Sequence, residues 1–211
     1  MINHDLKMIY IRVTKTASTS FIKTFGKNGT PLKAVGSLDI IPGVKLRNKH
    51  HLPSKYVREA VGKEIFQSYF KIAFTRNPWD RILSSYLMGK SYRKSPIFSN
   101  GERDTPLPFD EWLNKYDPAD PHLHALGRPK NFLPMNVTDF TQGADFIGRF
   151  ERLEEDFGRV CKLFDLPPLK LLHENRRAHK LYTEYYNDET RQIVAEKYAK
   201  DIEYFGYEFG E

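Results

Sequence analysis

The stretch Met8–Gly26, MIYIRVTKTASTSFIKTFG, decides the fold of this chain. It opens with an apolar run, Met8 to Val13, which predicts a buried strand. A short polar loop from Thr14 to Ser18 follows, and the apolar spacing after it predicts a helix that ends at Gly26. A strand, a loop of small hydroxylated residues and a helix N-terminus together favour phosphate binding, because unpaired backbone N–H groups and the helix dipole face the anion.

The loop also carries side chains suited to an anion. Lys15 offers a positive charge, and hydroxyl donors come from Thr16, Ser18, Thr19 and Ser20. The loop lacks the G-x-x-x-x-G-K-[ST] pattern that is typical of ATP- and GTP-binding loops. An ordinary turn between a strand and a helix, with a solvent-facing lysine, is the alternative interpretation of this segment.

Length and composition indicate a globular protein. At 211 residues the chain is expected to form one domain, residues 1–211. No apolar run approaches the roughly 18 residues that span a bilayer, so no transmembrane segment is expected. The polar start of the chain lacks a secretory signal pattern, and Cys161 is the single cysteine, so we expect a cytoplasmic protein with that cysteine in its core.

The net charge of +6 leaves several anionic partners open. The basic residues are spread along the chain and interleaved with acids, which is the pattern of a solvated surface rather than of a basic tail. We therefore expect no nucleic-acid partner. The oligomeric state does not follow from composition.

Strand and helix patterns alternate after the first helix, which predicts an α/β fold. The fold is expected to be a single domain with a central, mostly parallel sheet, helices on both faces and the phosphate-binding strand–loop–helix. In such sheets, ligands bind beyond the carboxyl ends of the strands. Strands are predicted near residues 32–35, 70–74 and 145–150, and helices near 54–61, 79–92, 109–116, 153–164 and 188–204.

A second basic group follows the predicted strand at 70–74. Arg76 lies in the loop that ends this strand, and Ser84 comes eight residues later on the next helix. Asn77 and Pro78 are suited to begin that helix. Two anion sites at the ends of two central strands indicate a ligand with two separated phosphates, such as a nucleotide phosphorylated at its 5' and 3' positions.

Several segments together resemble a known family. TKTASTSF and FTRNPWDRILSSY are similar to the two cofactor signatures of sulfotransferases that use 3'-phosphoadenosine 5'-phosphosulfate (PAPS). The match continues through FIGRFERLEEDF, HENRRAHKLY and the C-terminal YYNDETRQIVAEKYAKDIEYFGYEF, and so covers residues 8–209. The chain resembles the carbohydrate branch, related to chondroitin and uronyl sulfotransferases, in a compact soluble form.

The resemblance implies roles for individual residues. The 5'-phosphosulfate is expected at Lys15, Thr16, Ala17, Ser18, Thr19 and Ser20. The 3'-phosphate is expected at Arg76 and Ser84, with Arg177 and Lys180 near the cofactor or substrate. The family loop usually begins Pro-Lys and often contains glycine, whereas this chain has Thr14 before Lys15 and the pair Ala17-Ser18.

The implied reaction is in-line attack of an acceptor hydroxyl on sulfur, with adenosine 3',5'-bisphosphate leaving. Lys15 is expected to stabilise the charge that grows on the bridging oxygen. A histidine suits the role of base, and His51 is preferred, with His50 as the alternative in the same interval. Further alternatives for the base are His122, His124, His173 and His179. No ligand set for a metal is apparent, so no metal is expected.

The implied acceptor is a carbohydrate or glycolipid hydroxyl, and residues 94–131 are the expected acceptor-selecting segment. Two rival functions remain open from the residues alone. A nucleotide-dependent phosphotransferase would require magnesium and ATP. A non-catalytic polyanion-binding protein would bind with steep salt dependence and would be indifferent to the loss of His51.

Overall fold

The computed structural model describes residues 1–34, 51–90, 108–115, 136–174 and 180–211. The chain divides into two compact units. The first unit comprises residues 1–76 and 137–177, and the second comprises residues 77–136 and 178–211.

A sheet forms the centre of the first unit. The strands described are β1 (Ile2–Asn3), β2 (Met8–Ile11), β3 (Phe70–Thr75) and β4 (Phe146–Arg149), and they lie side by side in that order. The β1–β2 pair is antiparallel, whereas β2–β3 and β3–β4 are parallel. The carboxyl ends of β2, β3 and β4 therefore meet at one edge of the sheet, as the mostly parallel α/β prediction requires.

Both faces of the sheet are covered. Every residue of β2 is fully buried, which explains why its sequence is continuously apolar rather than alternating. On one face, Tyr10 stacks on Phe21 with ring centroids 4.2 Å apart, and Phe157 contacts Phe21 edge-on. Cys161 is buried in this same cluster, so the expectation of a core cysteine is confirmed.

Helices of the first unit follow the predicted pattern with local differences. Their bounds are α1 (Ser18–Lys27), α2 (Ser54–Val61), α3 (Lys63–Ser68), α6 (Val137–Thr141) and α7 (Leu153–Leu163), with a 3-10 turn at Phe150–Arg152. The predicted end of α1 at Gly26 is wrong, because the helix continues to Lys27 and the Asn28 side chain bonds to the Thr24 carbonyl. Ser54 begins α2, and its hydroxyl donates to the Phe140 carbonyl on α6.

The second unit is helical in the part that the structure describes. It contains α4 (Pro78–Lys90), α5 (Phe109–Lys115), α8 (Asp188–Lys197) and α9 (Ala199–Phe205), with a 3-10 turn at Tyr182–Tyr185. Asn77 accepts the Trp79 amide through its side chain, which confirms it as the residue that begins α4. The single predicted helix at 188–204 is wrong, because Tyr198 separates two helices.

A buried ion pair lies inside this second unit. Arg81 and Asp201 are both almost fully buried, and the Arg81 Nη2 donates to the Asp201 Oδ2 at 3.2 Å. The Arg81 guanidinium also lies over the ring of Tyr198, 5.2 Å from its centroid. Because both charged groups are removed from water, each is stabilised by the opposite charge of the other. The ion pair links α4 to α9.

Gly148 lies in the sheet where there is no space for a larger side chain. It pairs with Phe74 across the β3–β4 ladder, and a Cβ added there would lie 2.7 Å from Cδ1 of Phe74. We therefore expect Gly148→Ala to lower the free energy of unfolding by about 1–3 kcal/mol. Urea denaturation followed by circular dichroism measures this change.

Gly158 in α7 provides the matched control. A Cβ added at Gly158 meets no atom within 4 Å of the described residues, so Gly158→Ala should stabilise the protein by about 0.5–1 kcal/mol. Equal unfolding midpoints for Gly148→Ala and the wild-type protein would contradict the packing of Phe74 against β4.

The α/β fold with a central, mostly parallel sheet is confirmed. The single domain spanning 1–211 stays a prediction. In place of the expected strand near residues 32–35, the described part has one β-bridge between Ile2 and Lys33. Most of the expected acceptor-selecting segment lies outside the described residues. No helix within the described ranges has the length and apolar character needed to cross a bilayer.

Candidate active site

The loop after β2 has an unusual backbone. Lys15 and Ala17 have φ angles of 67° and 57°, in the left-handed region that non-glycine residues rarely adopt. Arrangements of this kind turn successive backbone N–H groups toward one side, where an anion can bind them. The loop thus holds two residues in the left-handed conformation although it contains no glycine, and its phosphate-binding role stays a prediction.

The N-terminus of α1 faces out of this loop without a side-chain cap. Ala17 occupies the capping position and has no side-chain oxygen, so its side chain makes no capping hydrogen bond to the first turn of the helix. Since the first N–H groups of a helix lack partners within it, these amides are suited to an anion. The segment Ser18–Ser20 also carries no acid that would repel one.

Hydroxyl groups of the loop and of α1 make hydrogen bonds to the backbone. The buried Thr16 donates to the Val13 carbonyl at 3.1 Å, and this bond closes the loop. Ser20 accepts the Glu174 amide at 3.1 Å, and Thr24 one turn later accepts the Leu172 amide. These hydroxyls hold the fold together, so the direct ligand contacts predicted for the side chains of Thr16 and Ser20 stay predictions.

Two buried hydroxyls at the same sheet edge lack partners. The Oγ1 atoms of Thr14 and Thr75 have no hydrogen-bond partner among the residues that the structure describes. Thr75 ends β3, and Thr14 follows the neighbouring strand β2. Because buried polar groups are nearly always satisfied, the two oxygens fit a site that is completed by a bound polar ligand.

Arg76 organises the loop from the neighbouring strand. Its Nη1 donates to the Lys15 carbonyl at 3.0 Å, and its guanidinium lies over the Phe150 ring, 3.9 Å from the centroid. Arg76 is 7% exposed. The structure thus places Arg76 in contact with the backbone of Lys15, a contact that sequence reasoning missed, and the phosphate-binding roles of the two side chains stay predictions.

His51 is anchored at the end of β2. Its Nδ1 lies 3.0 Å from the carbonyl oxygen of Arg12. A carbonyl oxygen only accepts, so Nδ1 carries the hydrogen, and in the neutral ring the lone pair is then on Nε2. The histidine preferred from sequence is therefore held at the start of the Lys15 loop, in the tautomer that can take a proton at Nε2.

Arg12 is a charged residue of this site that sequence reasoning missed. Its guanidinium is partly buried and makes long hydrogen bonds of 3.4 Å from Nε and Nη2 to the Ser18 Oγ. Burial lowers the pKa of the Arg12 guanidinium, which still stays protonated at neutral pH. The available signal was its position, directly after a buried strand at the edge where ligands bind.

The other predicted residues are placed as follows. In the second unit, Ser84 is half-buried on α4, and Lys180 is exposed and pairs with Glu184 at 3.6 Å. His173 in the first unit is exposed and lies 3.0 Å from Glu154. Outside the described residues lie His50, His122, His124, His179 and Arg177.

Ala17 offers a test of the loop backbone. Because alanine resists a φ of 57°, Ala17→Gly should raise the free energy of unfolding by about 0.5–1 kcal/mol. Ala17→Val should lower it, since a β-branched side chain tolerates this conformation worst. Urea denaturation measures both variants, and destabilisation by Ala17→Gly would contradict the left-handed conformation.

Comparisons with known proteins identify one family. A family model described as "Sulfotransferase family" matches residues 1–208. An uncharacterized protein of Archaeoglobus fulgidus is 34% identical over 116 residues, which cover 55% of this chain and 84% of that protein. No solved structure matches the chain.

Proposed function

The chain belongs to the sulfotransferase family, and from this premise we propose that it transfers a sulfuryl group from PAPS to a hydroxyl group of a carbohydrate or glycolipid. The observation that carries the proposal is the anchoring of His51 on the Arg12 carbonyl. This contact joins a histidine that can act as a base to the strand that opens the Lys15 loop. An anion-binding loop and a base are the two parts that sulfuryl transfer to a hydroxyl requires.

The loop residues bind the donor in this proposal. PAPS, when bound, supplies an activated sulfuryl group and two separated phosphate charges. The Lys15 ammonium and the uncapped amides of α1 bind the 5' anionic group, where negative charge grows during transfer. The unpartnered oxygens of Thr14 and Thr75 and the guanidinium of Arg76 support the fit of an anionic nucleotide to this sheet edge.

His51 moves the proton in this proposal. Its Nδ1–H donates to the Arg12 carbonyl, which fixes the ring orientation and puts the basic lone pair on Nε2, the atom that is proposed to accept the proton of the acceptor hydroxyl. The backbone carbonyl also favours the protonated ring after transfer, because an imidazolium donates a stronger hydrogen bond from Nδ1. Base catalysis of this kind contributes typically about 10²–10⁴-fold to a rate.

Product analysis tests the proposed reaction. The purified protein is incubated with PAPS and a mixture of unsulfated oligosaccharides and glycolipids, and the products are separated by chromatography with mass detection. We expect adenosine 3',5'-bisphosphate and a sulfated acceptor in equal amounts, without added magnesium. Phosphorylated products from ATP and magnesium, together with no turnover of PAPS, would replace the proposal with the phosphotransferase alternative.

A further inference from the structure

Arg76 is held on two sides. Its Nη1 donates to the Lys15 carbonyl at 3.0 Å, and its guanidinium plane lies over the ring of Phe150 with a distance of 3.9 Å from Cζ to the ring centroid. At 7% exposure the guanidinium is largely removed from water, where contact between a cation and an aromatic ring is strongest. An arginine side chain that is held by both an aromatic ring and a hydrogen bond has little conformational freedom.

The sheet register creates this arrangement. β3 and β4 are parallel neighbours, and Thr75 pairs with Arg149 in their last step. The next residue on each strand is Arg76 on one side and Phe150 on the other, so both leave the sheet at the same level. The 3-10 turn Phe150–Arg152 begins there and places the Phe150 ring beside Arg76.

The carbonyl that Arg76 holds belongs to a residue of unusual conformation. Lys15 has a φ of 67°, and the peptide that follows it presents its oxygen to Arg76. A left-handed non-glycine residue is energetically unfavourable and persists only where the surrounding contacts hold it. The hydrogen bond from Arg76 is such a restraint.

We propose that Phe150 is a positioning residue: its ring holds the guanidinium of Arg76 against the Lys15 carbonyl, and this clamp keeps the Lys15 loop in its anion-binding conformation. Phe150, Arg76 and Lys15 then act as one unit. The nucleotide part of the test rests on the proposed function, whereas the loop conformation itself is independent of it.

The clamp makes a prediction that a 3'-phosphate contact alone does not. If Arg76 only bound the 3'-phosphate, weakening it would reduce the affinity for adenosine 3',5'-bisphosphate and would spare adenosine 5'-monophosphate. If Arg76 holds the loop, loss of the Phe150 ring weakens both nucleotides by the same factor. From the strength of a desolvated cation–π contact, we expect both dissociation constants to rise about three- to tenfold.

Hydrogen exchange tests the clamp without any ligand. Amide exchange in residues 14–18 should be about three- to tenfold faster in Phe150→Leu than in the wild-type protein, and close to wild type in Phe150→Tyr, which keeps the ring. Phe146→Leu is the matched control, because Phe146 begins β4, the strand that leads to Phe150, and its ring contacts Phe74, with centroids 6.5 Å apart. Unchanged exchange in Phe150→Leu would overturn the proposal.

Arg76→Lys provides a second route if Phe150→Leu folds poorly. Lysine keeps the charge and loses the planar guanidinium, so loop exchange should accelerate as it does in Phe150→Leu. The double variant should be no faster than either single variant, since both remove the same restraint. Additive effects would show that the two residues act separately and would overturn the clamp.

Calorimetry with both nucleotides completes the test. Equal weakening of adenosine 3',5'-bisphosphate and adenosine 5'-monophosphate in Phe150→Leu, restored in Phe150→Tyr, supports the clamp, whereas weakening of the bisphosphate alone overturns it. A wild-type protein that binds neither nucleotide would overturn the proposed function, and the exchange measurement would then decide the clamp by itself.

Discussion

Replacing His51 with alanine should lower the rate of sulfuryl transfer about 10²–10⁴-fold and leave the affinity for adenosine 3',5'-bisphosphate close to wild type. The reason is that His51 is proposed to take the acceptor proton at Nε2, a step that nucleotide binding does not involve. Transfer is measured with ³⁵S-labelled PAPS and the oligosaccharide and glycolipid mixture.

The variant His51→Asn separates catalysis from anchoring. The asparagine amide can donate to the Arg12 carbonyl as Nδ1 does, but it offers no base. We therefore expect His51→Asn to be as inactive as His51→Ala and as stable as the wild type. His173→Ala is the control, because His173 is an exposed histidine beside Glu154, and it should keep full activity. Wild-type activity in His51→Asn would show that the role of His51 is only structural.

Replacing Lys15 with alanine should lower both donor affinity and turnover. Lys15 lies in the loop between β2 and α1, where its ammonium is proposed to stabilise the charge that develops on the bridging oxygen. Removing one such stabilising group typically costs about 10²–10³-fold in turnover. Because the ground-state phosphosulfate is also an anion, the dissociation constant for adenosine 3',5'-bisphosphate should rise as well.

Lys23→Ala is the matched control for this prediction. Lys23 is on α1, and its exposed side chain pairs with Glu174 at 2.9 Å. Exposed pairs of this kind contribute little, so Lys23→Ala should leave binding and turnover unchanged. Wild-type turnover in Lys15→Ala would remove Lys15 from the mechanism and would favour the interpretation of the loop as an ordinary turn.

The residue types of the first loop were enough to predict a candidate anion site. A buried apolar strand followed by Lys15 and small hydroxylated residues indicates the edge of a parallel sheet. The left-handed conformations of Lys15 and Ala17 were not predictable, because nothing in an alanine or a lysine favours a positive φ. That conformation is set by tertiary contacts, among them the hydrogen bond from Arg76.

Contacts over long sequence distances account for the rest of the site. His51 and Arg12 are 39 residues apart in the sequence, and Arg76 and Lys15 are 61 residues apart. No local sequence pattern therefore predicts either hydrogen bond. The preference for His51 came from the family resemblance, and its anchoring came from the structure. Phe150 had the sequence signal of an ordinary strand end, and only the register of β3 and β4 places it beside Arg76.

Helix boundaries were predicted less well than helix positions. Gly62 ends α2 with a φ of 86°, as expected, but the same residue also begins α3, which the sequence pattern did not indicate. Tyr198 interrupts the last helical stretch, where its fully buried ring packs under Arg81. At Tyr198, the packing of a particular side chain overrides local helix propensity.

The most direct test of the account is the binding of adenosine 3',5'-bisphosphate, measured by calorimetry with adenosine 5'-monophosphate beside it. We expect tight binding of the bisphosphate, much weaker binding of the monophosphate, and loss of bisphosphate binding in Lys15→Ala and Arg76→Ala. No binding, or equal binding of the two nucleotides to the wild-type protein, would contradict the assignment of a PAPS-dependent sulfotransferase.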